Sequence, residues 1–438
     1  MAIGVPAQQQ QVRQAFERQN PLSDRFGMKA FHHIEFYCGD AINTASRFSW
    51  GLGMPMVAKS DQSTGNPVHA SYVLRSHDLT FVFTAPYATH LAVAADKVQR
   101  LSAPPTSPLP GFDADKAYAF FRAHGMAARA IGIEVEDAAA AYEQCTANGG
   151  TGVLAPTDCG NGVTVSEVAA YGDVVLRFVS YGQGVDAHSG AFLPGFQDIS
   201  APKGAGGEAW PATYGIERVD HAVGNVWDMM EAVERLGGMT GMHRFAEFTA
   251  EDVGTVDSGL NSVVLASNNE VVLLPLNEPT YGTKRKSQIQ TYLEQNVGPG
   301  LQHLALKTND IIGTLRLMKE RSHMGGFEFL DAPGEAYYSD LPARVPELTP
   351  QQVSELQELG VLADKDDQGI LLQIFTKPCG DRPTFFIEII QRIGCEDAVE
   401  LPGGQVQMVQ RGGCGGFGKG NFRALFKSIE DYEKKLGV

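Results

Sequence analysis

Short hydrophobic runs alternate along the chain with amphipathic stretches that end at glycine. The run Ala30–Cys38 is rich in aromatic and branched residues, which predicts a strand, and Ala41–Leu52 has the spacing of a helix. The same order recurs at Ala128–Val135, a predicted strand, and Asp137–Ala147, a predicted helix that a glycine turn ends. The first half of the chain is therefore predicted to contain two similar units.

The second half repeats this order twice. Arg218–Asn225 and Leu301–Thr308 are predicted strands, and the helical patterns Trp227–Leu236 and Asp310–Arg321 follow them. Two such units with their later strands can curl one sheet into an open barrel around a cavity. The predicted fold class is α+β, with two open β-barrel domains of two βαβββ modules each and a C-terminal lid helix.

The remaining patterns complete this architecture. Thr349 and Gln352 form a capping box before a helical pattern that ends at Gly360. Further helices are predicted at Asp115–His124, Thr349–Leu359 and Asn421–Leu436, and further strands at Ser71–Leu74, Leu79–Thr84, Val163–Val168, Asp173–Tyr181, Ser262–Ala266, Val271–Leu276, Ile370–Thr376 and Thr384–Gln391.

Polar and glycine-rich segments predict the domain boundaries. Residues 1–27 form a polar N-terminal arm, and residues 185–214 form a linker that is dense in Gly, Pro and Ala and has no periodicity. The expected domains are an N-terminal barrel over residues 28–184 and a C-terminal barrel with its final helix over residues 215–438.

Charge and composition narrow the classes of partner. The 438 residues carry a formal net charge of −16, which argues against nucleic acid or an anionic membrane as a partner. No apolar run reaches the roughly 18 residues of a membrane span, and the N-terminus lacks a signal core, so we expect a cytoplasmic protein. The six cysteines form no C-x-x-C pair, and reduced thiols are expected.

Glu388 is an ionisable residue in the middle of the apolar stretch DRPTFFIEIIQRIG. Phe386, Glu388 and Ile390 share one face of the predicted strand, because side chains alternate across a strand. An edge strand with Glu388 in water is one interpretation. The other is a metal ligand, because a cation compensates a buried carboxylate.

Aligning the repeats favours the metal. His221 and His303 lie in the first strands of the third and fourth units, and Glu388 lies in a late strand of the fourth unit. The counterparts in the first half are His33, Ala130 and Arg177, a set that cannot hold a cation. Two histidines and one carboxylate leave coordination positions open, as in Fe(II) oxygenases. Each histidine alone would more simply be a core residue.

Several long motifs carry a family resemblance. They are VDHAVGNV at His221, GLQHLALKTNDI at His303, RPTFFIEIIQRIGC at Glu388, ILLQIFTKP, and the terminal GGCGGFGKGNFRALFKSIEDYE. The chain resembles the plant-type 4-hydroxyphenylpyruvate dioxygenase family of the vicinal-oxygen-chelate superfamily, from Gly27 almost to its end. The resemblance implies that His221, His303 and Glu388 bind Fe(2+), and it implies a homodimer.

The resemblance also implies an activity and a pocket. 4-Hydroxyphenylpyruvate and O2 would give homogentisate and CO2 through oxidative decarboxylation, ring hydroxylation and side-chain migration, in tyrosine catabolism and the supply of plastoquinone and tocopherol precursors. The implied catalytic residues are Gln288, Gln302 and Gln373. The implied substrate-binding residues are these three with Ser262, Asn277, Phe375, Phe386, Phe417, Asn421, Phe422 and Phe426.

The sequence also allows other interpretations. Phe422 and Phe426 are one helical turn apart, so they could dock the tail helix instead of contacting substrate. A hydroxymandelate synthase-like oxygenase would share the metal and substrate, a non-catalytic aromatic-acid binding protein would share the fold, and a zinc hydrolase would need no oxygen. The motif Gly413–Gly418 matches G-x-G-x-x-G, but too few residues follow for a nucleotide-binding unit, which favours a tight turn.

Overall fold

A computed structural model describes residues 16–87, 108–185, 190, 192–199, 212–253, 259–400 and 406–437. The first half builds a nine-stranded mixed sheet in the order β6-β7-β8-β5-β1-β4-β3-β2-β9. Its strands are β1 Met28–Tyr37, β2 Met56–Ser60, β3 His69–Ser76, β4 Leu79–Pro86, β5 Ala127–Val135, β6 Gly152–Asp158, β7 Val163–Tyr171, β8 Val174–Tyr181 and β9 Gln197–Asp198, and its helices are α1 Ala41–Leu52, α2 Ala114–His124 and α3 Ala138–Ala147.

The second half builds an eight-stranded mixed sheet in the order β11-β12-β13-β10-β14-β17-β16-β15, with a separate hairpin of β18 and β19. The strands are β10 Ile216–Asn225, β11 His243–Phe248, β12 Leu260–Ala266, β13 Leu273–Pro279, β14 Gly300–Thr308, β15 Leu362–Lys365, β16 Gly369–Phe375, β17 Phe386–Gly394, β18 Glu396–Glu400 and β19 Val406–Gln410. The helices are α4 Met229–Thr240, α5 Ala250–Val253, α6 Gln288–Gln295, α7 Ile311–Ser322, α8 Glu335–Arg344, α9 Pro350–Leu359 and α10 Phe422–Leu436, with short 3-10 turns at Gln62–Thr64 and Lys419–Asn421.

The predicted fold class is confirmed. Each sheet joins two modules in which a strand, a helix and three strands follow one another, and the first strands of the two modules pair antiparallel at the centre of the sheet. Aromatic side chains bury the contact between the halves, for example Phe48 against Phe327 and Phe36 against Phe385, with ring centroids 4.9 and 5.1 Å apart. The α10 helix closes the C-terminal sheet, as predicted.

The strand register confirms the alignment of the repeats. In the second half His221 pairs with Ala305, which pairs with Glu388. In the first half His33 pairs with Gly132, which pairs with Arg177. Arg177 therefore occupies the position that Glu388 occupies in the other sheet.

Arg177 closes the centre of the first sheet with ion pairs. Its guanidinium lies 2.7 Å from carboxylate oxygens of both Glu35 and Glu167 and 3.1 Å from Nε2 of His33. All four side chains are buried. The Arg177 guanidinium occupies the position at which a metal site would need a carboxylate ligand. The first half therefore has a structural ion-pair network at the place equivalent to the metal centre.

Some elements differ from the sequence prediction. The strands β2, β6, β9, β11, β15, β18 and β19 and the helices α5, α6 and α8 were not predicted. Residues 1–15 of the predicted arm lie outside the described residues, whereas the part that begins at Phe16 packs on the second half: Arg18 pairs with Glu270, and Asp24 accepts a hydrogen bond of 2.7 Å from the backbone of Asn268. Within the predicted linker, β9 pairs with β2 and extends the first sheet.

The expectation of reduced thiols is wrong for two of the six cysteines. Cys395 and Cys414, 19 positions apart, form a disulfide, while Cys38, Cys145, Cys159 and Cys379 are unbonded. Scattered spacing gave no indication of this pair, because the β18–β19 hairpin folds the chain back between them. None of the helices within the described ranges is both long and apolar enough to cross a bilayer.

Candidate metal centre

Three side chains from separate strands meet at the centre of the second sheet. His221 on β10, His303 on β14 and Glu388 on β17 each offer a ligand atom, and these atoms all lie within 4.8 Å of one another. Nε2 of His221 is 3.3 Å and Nε2 of His303 is 3.5 Å from the same Glu388 oxygen, Oε2. Among the residues that the structure describes, this is the only such group of potential ligands.

Burial decides between the two interpretations of Glu388. The strand β17 lies between β14 and β16, so it is not at an edge, and Glu388 is only 3% exposed. The interpretation as a solvated edge residue is therefore wrong. A carboxylate at this depth requires compensating positive charge or hydrogen bonds, and two imidazoles face it.

The site favours an ionised carboxylate. Burial works to raise the pKa of Glu388, but hydrogen bonds from His221 and His303 outweigh it and lower the pKa to about 2. Burial also opposes protonation of the imidazoles. It lowers the pKa of His303, whereas contacts with Asp220 and Glu388 reverse its effect and raise the pKa of His221. The carboxylate is thus a permanent anion near neutral pH.

Each ligand is oriented by a second side chain. Nδ1 of His221 lies 2.9 Å from Oδ1 of Asp220, and Nδ1 of His303 lies 2.9 Å from Oε1 of Gln302. Because both partners are acceptors, each imidazole donates its Nδ1 proton to its partner, so that Nε2 faces Glu388 and is the nitrogen that would coordinate a metal after losing its own proton. Nε2 of Gln373 donates a hydrogen bond of 2.8 Å to Oε1 of Glu388.

Asp220 and its partner Arg392 were missed by the sequence analysis. Arg392 on β17 pairs with both carboxylate oxygens of Asp220 at 2.9 and 2.7 Å. Burial would raise the pKa of Asp220, but the guanidinium charge holds it well below its usual range. Charged residues at strand positions usually indicate a solvated face, so the sequence carries no signal for a buried pair here.

A cavity with aromatic walls adjoins the cluster. Ten of the eleven predicted substrate residues line it, and they are Ser262, Asn277, Gln288, Gln302, Gln373, Phe375, Phe386, Phe417, Asn421 and Phe422. Further wall residues that sequence analysis did not single out are Val223, Phe248, Leu260, Val264, Pro275, Gly418, Leu425 and Ile429. Several of these lie two positions from a predicted residue along β12 or β13, on the same face of the strand. This spacing is the signal that could have found them.

The cavity wall consists partly of phenylalanine rings and partly of polar side chains. Phe386 stacks on the His303 imidazole at 4.7 Å between ring centroids, and Phe417 meets the His221 ring edge-on at 5.1 Å. Asn277 and Gln302 are linked by a contact of 3.4 Å. Such a cavity can hold a flat aromatic ring and offer amide partners to its polar groups.

The α10 helix covers the cavity through its first turns. Phe422, Leu425 and Ile429 line the cavity, and Phe422 packs on Phe248 at 5.5 Å. Phe426, the eleventh predicted substrate residue, is fully buried in a cluster with Leu260 and residues of α6. Phe426 therefore helps to dock the helix and does not line the cavity, and its contact with substrate stays a prediction that this packing does not favour.

A hydrogen-bonded chain connects this lid to the metal ligands. Nδ2 of Asn421 donates to Oε1 of Gln373 at 2.9 Å, and Gln373 in turn donates to Glu388. The hydroxyl of Tyr337 holds Oδ1 of Asn421 at 2.6 Å. The residue before α10 is thus two hydrogen bonds from a ligand.

The fold is of the two-barrel α+β class, and the donor set is typical of non-haem metal oxygenases. No family model matches the chain. The chain is 57% identical over 423 residues to 4-hydroxyphenylpyruvate dioxygenase from Daucus carota, covering 96% of this chain and 91% of the relative. It is 56% identical over 422 residues to the Arabidopsis thaliana enzyme of that name, covering 96% and 92%. The chain belongs to the 4-hydroxyphenylpyruvate dioxygenase family and is an enzyme of the dioxygenase class.

More distant comparisons agree. The Pyricularia oryzae 4-hydroxyphenylpyruvate dioxygenase is 34% identical over 425 residues, covering 93% of this chain and 91% of the relative. A solved structure of a 4-hydroxymandelate synthase mutant from Streptomyces coelicolor superposes with a TM-score of 0.68 at 23% identity, covering 93% of this chain and 99% of that one. At this identity the likeness shows the fold alone.

Proposed function

We propose that this chain uses Fe(II), held by His221, His303 and Glu388, to convert 4-hydroxyphenylpyruvate and O2 to homogentisate and CO2. The observation that carries the proposal is the convergence of these three buried side chains beside an aromatic cavity. The residues fit the metal, because two imidazoles and one carboxylate form a donor set typical of Fe(II) oxygenases.

The chain's own residues would prepare the site for the metal. Asp220 and Gln302 fix the imidazole tautomers, and Gln373 leaves one oxygen of Glu388, Oε2, facing both histidines. When bound, Fe(II) would supply a positive centre that the carboxylate and keto oxygens of the 2-oxo acid can chelate, and it would activate O2. The net charge of −16 does not provide such a centre.

The cavity would orient the substrate ring. Phe375, Phe386 and Phe417 would enclose it, while the phenol hydroxyl would find partners among the polar side chains of β12, β13 and α6. We assign substrate contacts to the ten predicted residues that line the cavity, and we assign positioning in catalysis to Gln288, Gln302 and Gln373. Closure by α10 would exclude water from the reacting atoms.

This activity suggests a biological setting. The plant relatives fit a role in tyrosine catabolism and in supplying homogentisate for plastoquinone and tocopherol. We further propose the division into a metal-free domain over residues 28–184 and a catalytic domain over residues 215–438, a homodimer, and a cytoplasmic location.

Replacing His303 with Ala tests the proposal. The variant loses one of three ligands and one of the two imidazoles that face Glu388, so we expect loss of iron retention and of homogentisate formation. The products are identified by chromatography, and oxygen uptake is followed with an electrode. The matched control is His33→Ala, which removes the equivalent imidazole from the first sheet.

The outcomes separate the candidate functions. Full homogentisate formation by His303→Ala would contradict the ligand assignment. Hydroxymandelate as the product of the unmodified chain would indicate attack on the benzylic carbon, the absence of oxygen uptake would indicate a binding protein, and anaerobic turnover would indicate a hydrolase.

A further inference from the structure

The two imidazoles of the centre have chemically different partners. The partner of His303 is a neutral amide, Gln302, whereas the partner of His221 is a carboxylate, Asp220, which is only 1% exposed. A carboxylate acceptor raises the basicity of a ligating imidazole more than an amide does. Of the two histidines, His221 should therefore be the stronger electron-pair donor to a bound metal.

Arg392 uses most of its donors on two separate parts of the site. Two nitrogens pair with Asp220, and a third donates to the backbone carbonyls of Cys414 and Gly416, the latter at 2.7 Å. The guanidinium side chain is completely buried. A planar group that bridges a carboxylate and two carbonyls fixes their relative position, which a lysine cannot reproduce.

The carbonyls belong to the glycine-rich turn that places Phe417. The ring of Phe417 faces the His221 imidazole, and Arg392 lies 5.7 Å from the centre of that ring. Cys414 is also joined to Cys395, three residues after Arg392. The buried guanidinium of Arg392 therefore contacts both Asp220, which orients the predicted ligand His221, and the turn that forms a cavity wall.

We propose that Asp220 and Arg392 form a positioning pair, in which Asp220 holds His221 as a ligand and Arg392 couples that ligand to the glycine-rich turn carrying Phe417. The proposal rests on the metal centre proposed above. Neither Asp220 nor Arg392 is among the described residues that line the cavity, so both act through His221 and Phe417.

Asp220→Asn tests the first part of the pair. The amide has nearly the same shape but no charge, so Fe(II) affinity should fall by roughly 10- to 100-fold, as is usual when an outer partner of a metal ligand is changed. Affinity is measured anaerobically by competition with a chromophoric chelator. The visible spectrum of the Co(II)-substituted protein should also shift, because the ligand field at His221 changes.

Glu35→Gln is the matched control. Glu35 is a fully buried carboxylate paired with the buried Arg177 in the equivalent place of the metal-free half. Its neutralisation should destabilise the fold comparably but leave Fe(II) affinity and the Co(II) spectrum unchanged. A purely structural role of Asp220 would make the two variants alike.

Arg392→Lys tests the coupling to the turn. The lysine keeps the charge beside Asp220 but cannot reach both carbonyls, so substrate affinity should weaken more than Fe(II) affinity does. If Asp220→Asn does not fold, the double variant with Arg392→Gln leaves no unpaired buried charge and is measured instead. The expected result for this double variant is the same loss of metal affinity.

The outcomes are distinguishable from failure of the proposed function. If the unmodified chain and Glu35→Gln do not bind Fe(II), the metal centre itself is wrong. If both bind Fe(II) and a folded Asp220→Asn or double variant binds it equally well with an unshifted Co(II) spectrum, the positioning pair is overturned. Equal effects of Arg392→Lys on both affinities would overturn the coupling.

Discussion

Gly418 shows how one residue near the lid constrains the ligands. Its φ of +74° lies in the left-handed region, and a Cβ there would overlap the Oε1 atom of Gln373, the side chain that donates to Glu388. Glycine is therefore required twice, for the backbone conformation and for the close approach.

Gly418→Ala should lower activity and stability together. The left-handed conformation costs an alanine about 1–2 kcal/mol, and the displaced Gln373 should also weaken Fe(II) binding. Gly65→Ala is the control, because Gly65 has a φ of +87° and nothing within 4 Å of its added carbon. Chemical denaturation and Fe(II) affinity are measured for both variants. Equal Fe(II) affinity in the two variants would contradict the contact with Gln373.

The residues that could be predicted either break a local pattern or recur at equivalent places of the repeat. Glu388 interrupts an apolar strand, and His221 and His303 recur at equivalent places of a repeat, so all three could be selected from the sequence. Asp220 and Arg392 lie 172 positions apart and look like surface charges until the strands are paired. Phe426 shares the helical spacing of Phe422, and only the packing on α6 shows that it points behind the cavity wall.

At the scale of elements, the contact between α10 and α6 contains a titratable group. Glu433 is buried on α10, and burial, opposed by a hydrogen bond with Thr291, raises its pKa to about 7 from 4.5. Arg285 and Lys286 lower the pKa of Glu433, and Glu430 raises it. Because the folded-state pKa is raised, the folded protein binds the proton more tightly than the unfolded chain does.

The stability of the protein should therefore depend on Glu433. Its contribution is fully present below about pH 4.5 and is lost as pH rises through 7. Glu433→Gln removes this dependence, so from pH 5 to pH 8 the unfolding free energy of the unmodified chain should fall relative to the variant by at most about 3 kcal/mol. Urea denaturation at both pH values measures the difference. Glu358→Gln, on the exposed face of α9, is the control, and parallel pH profiles for all three proteins would contradict the assignment.

Elements with strong local signals could be predicted, and the others could not. The helix α9 has the capping box and the left-handed Gly360 that the sequence indicates. The strand β6 is largely exposed and contains Pro156, and α8 contains Pro342, so neither has a regular pattern. Tertiary contacts hold such elements in place, and single-sequence patterns do not contain those contacts.

At the scale of the whole molecule, the two sheets have diverged from one plan. The register places Arg177 and Glu388 at equivalent positions, so one centre holds an internal cation and the other can hold a metal. The repeat made the double barrel predictable from sequence. The disulfide and the docking of the segment from Phe16 onward on the second half were not predictable, because they depend on how distant surfaces meet.

The stoichiometry of bound iron tests the three-ligand site. Anaerobic titration of the metal-free chain with Fe(II) in the presence of 4-hydroxyphenylpyruvate should give one bound iron per chain and a visible charge-transfer band, and admitting oxygen should then yield homogentisate. Glu388→Gln, correctly folded by circular dichroism, should show neither the iron nor the band. Full iron binding with an unchanged band in Glu388→Gln would contradict the claim that three distant side chains hold one ferrous ion.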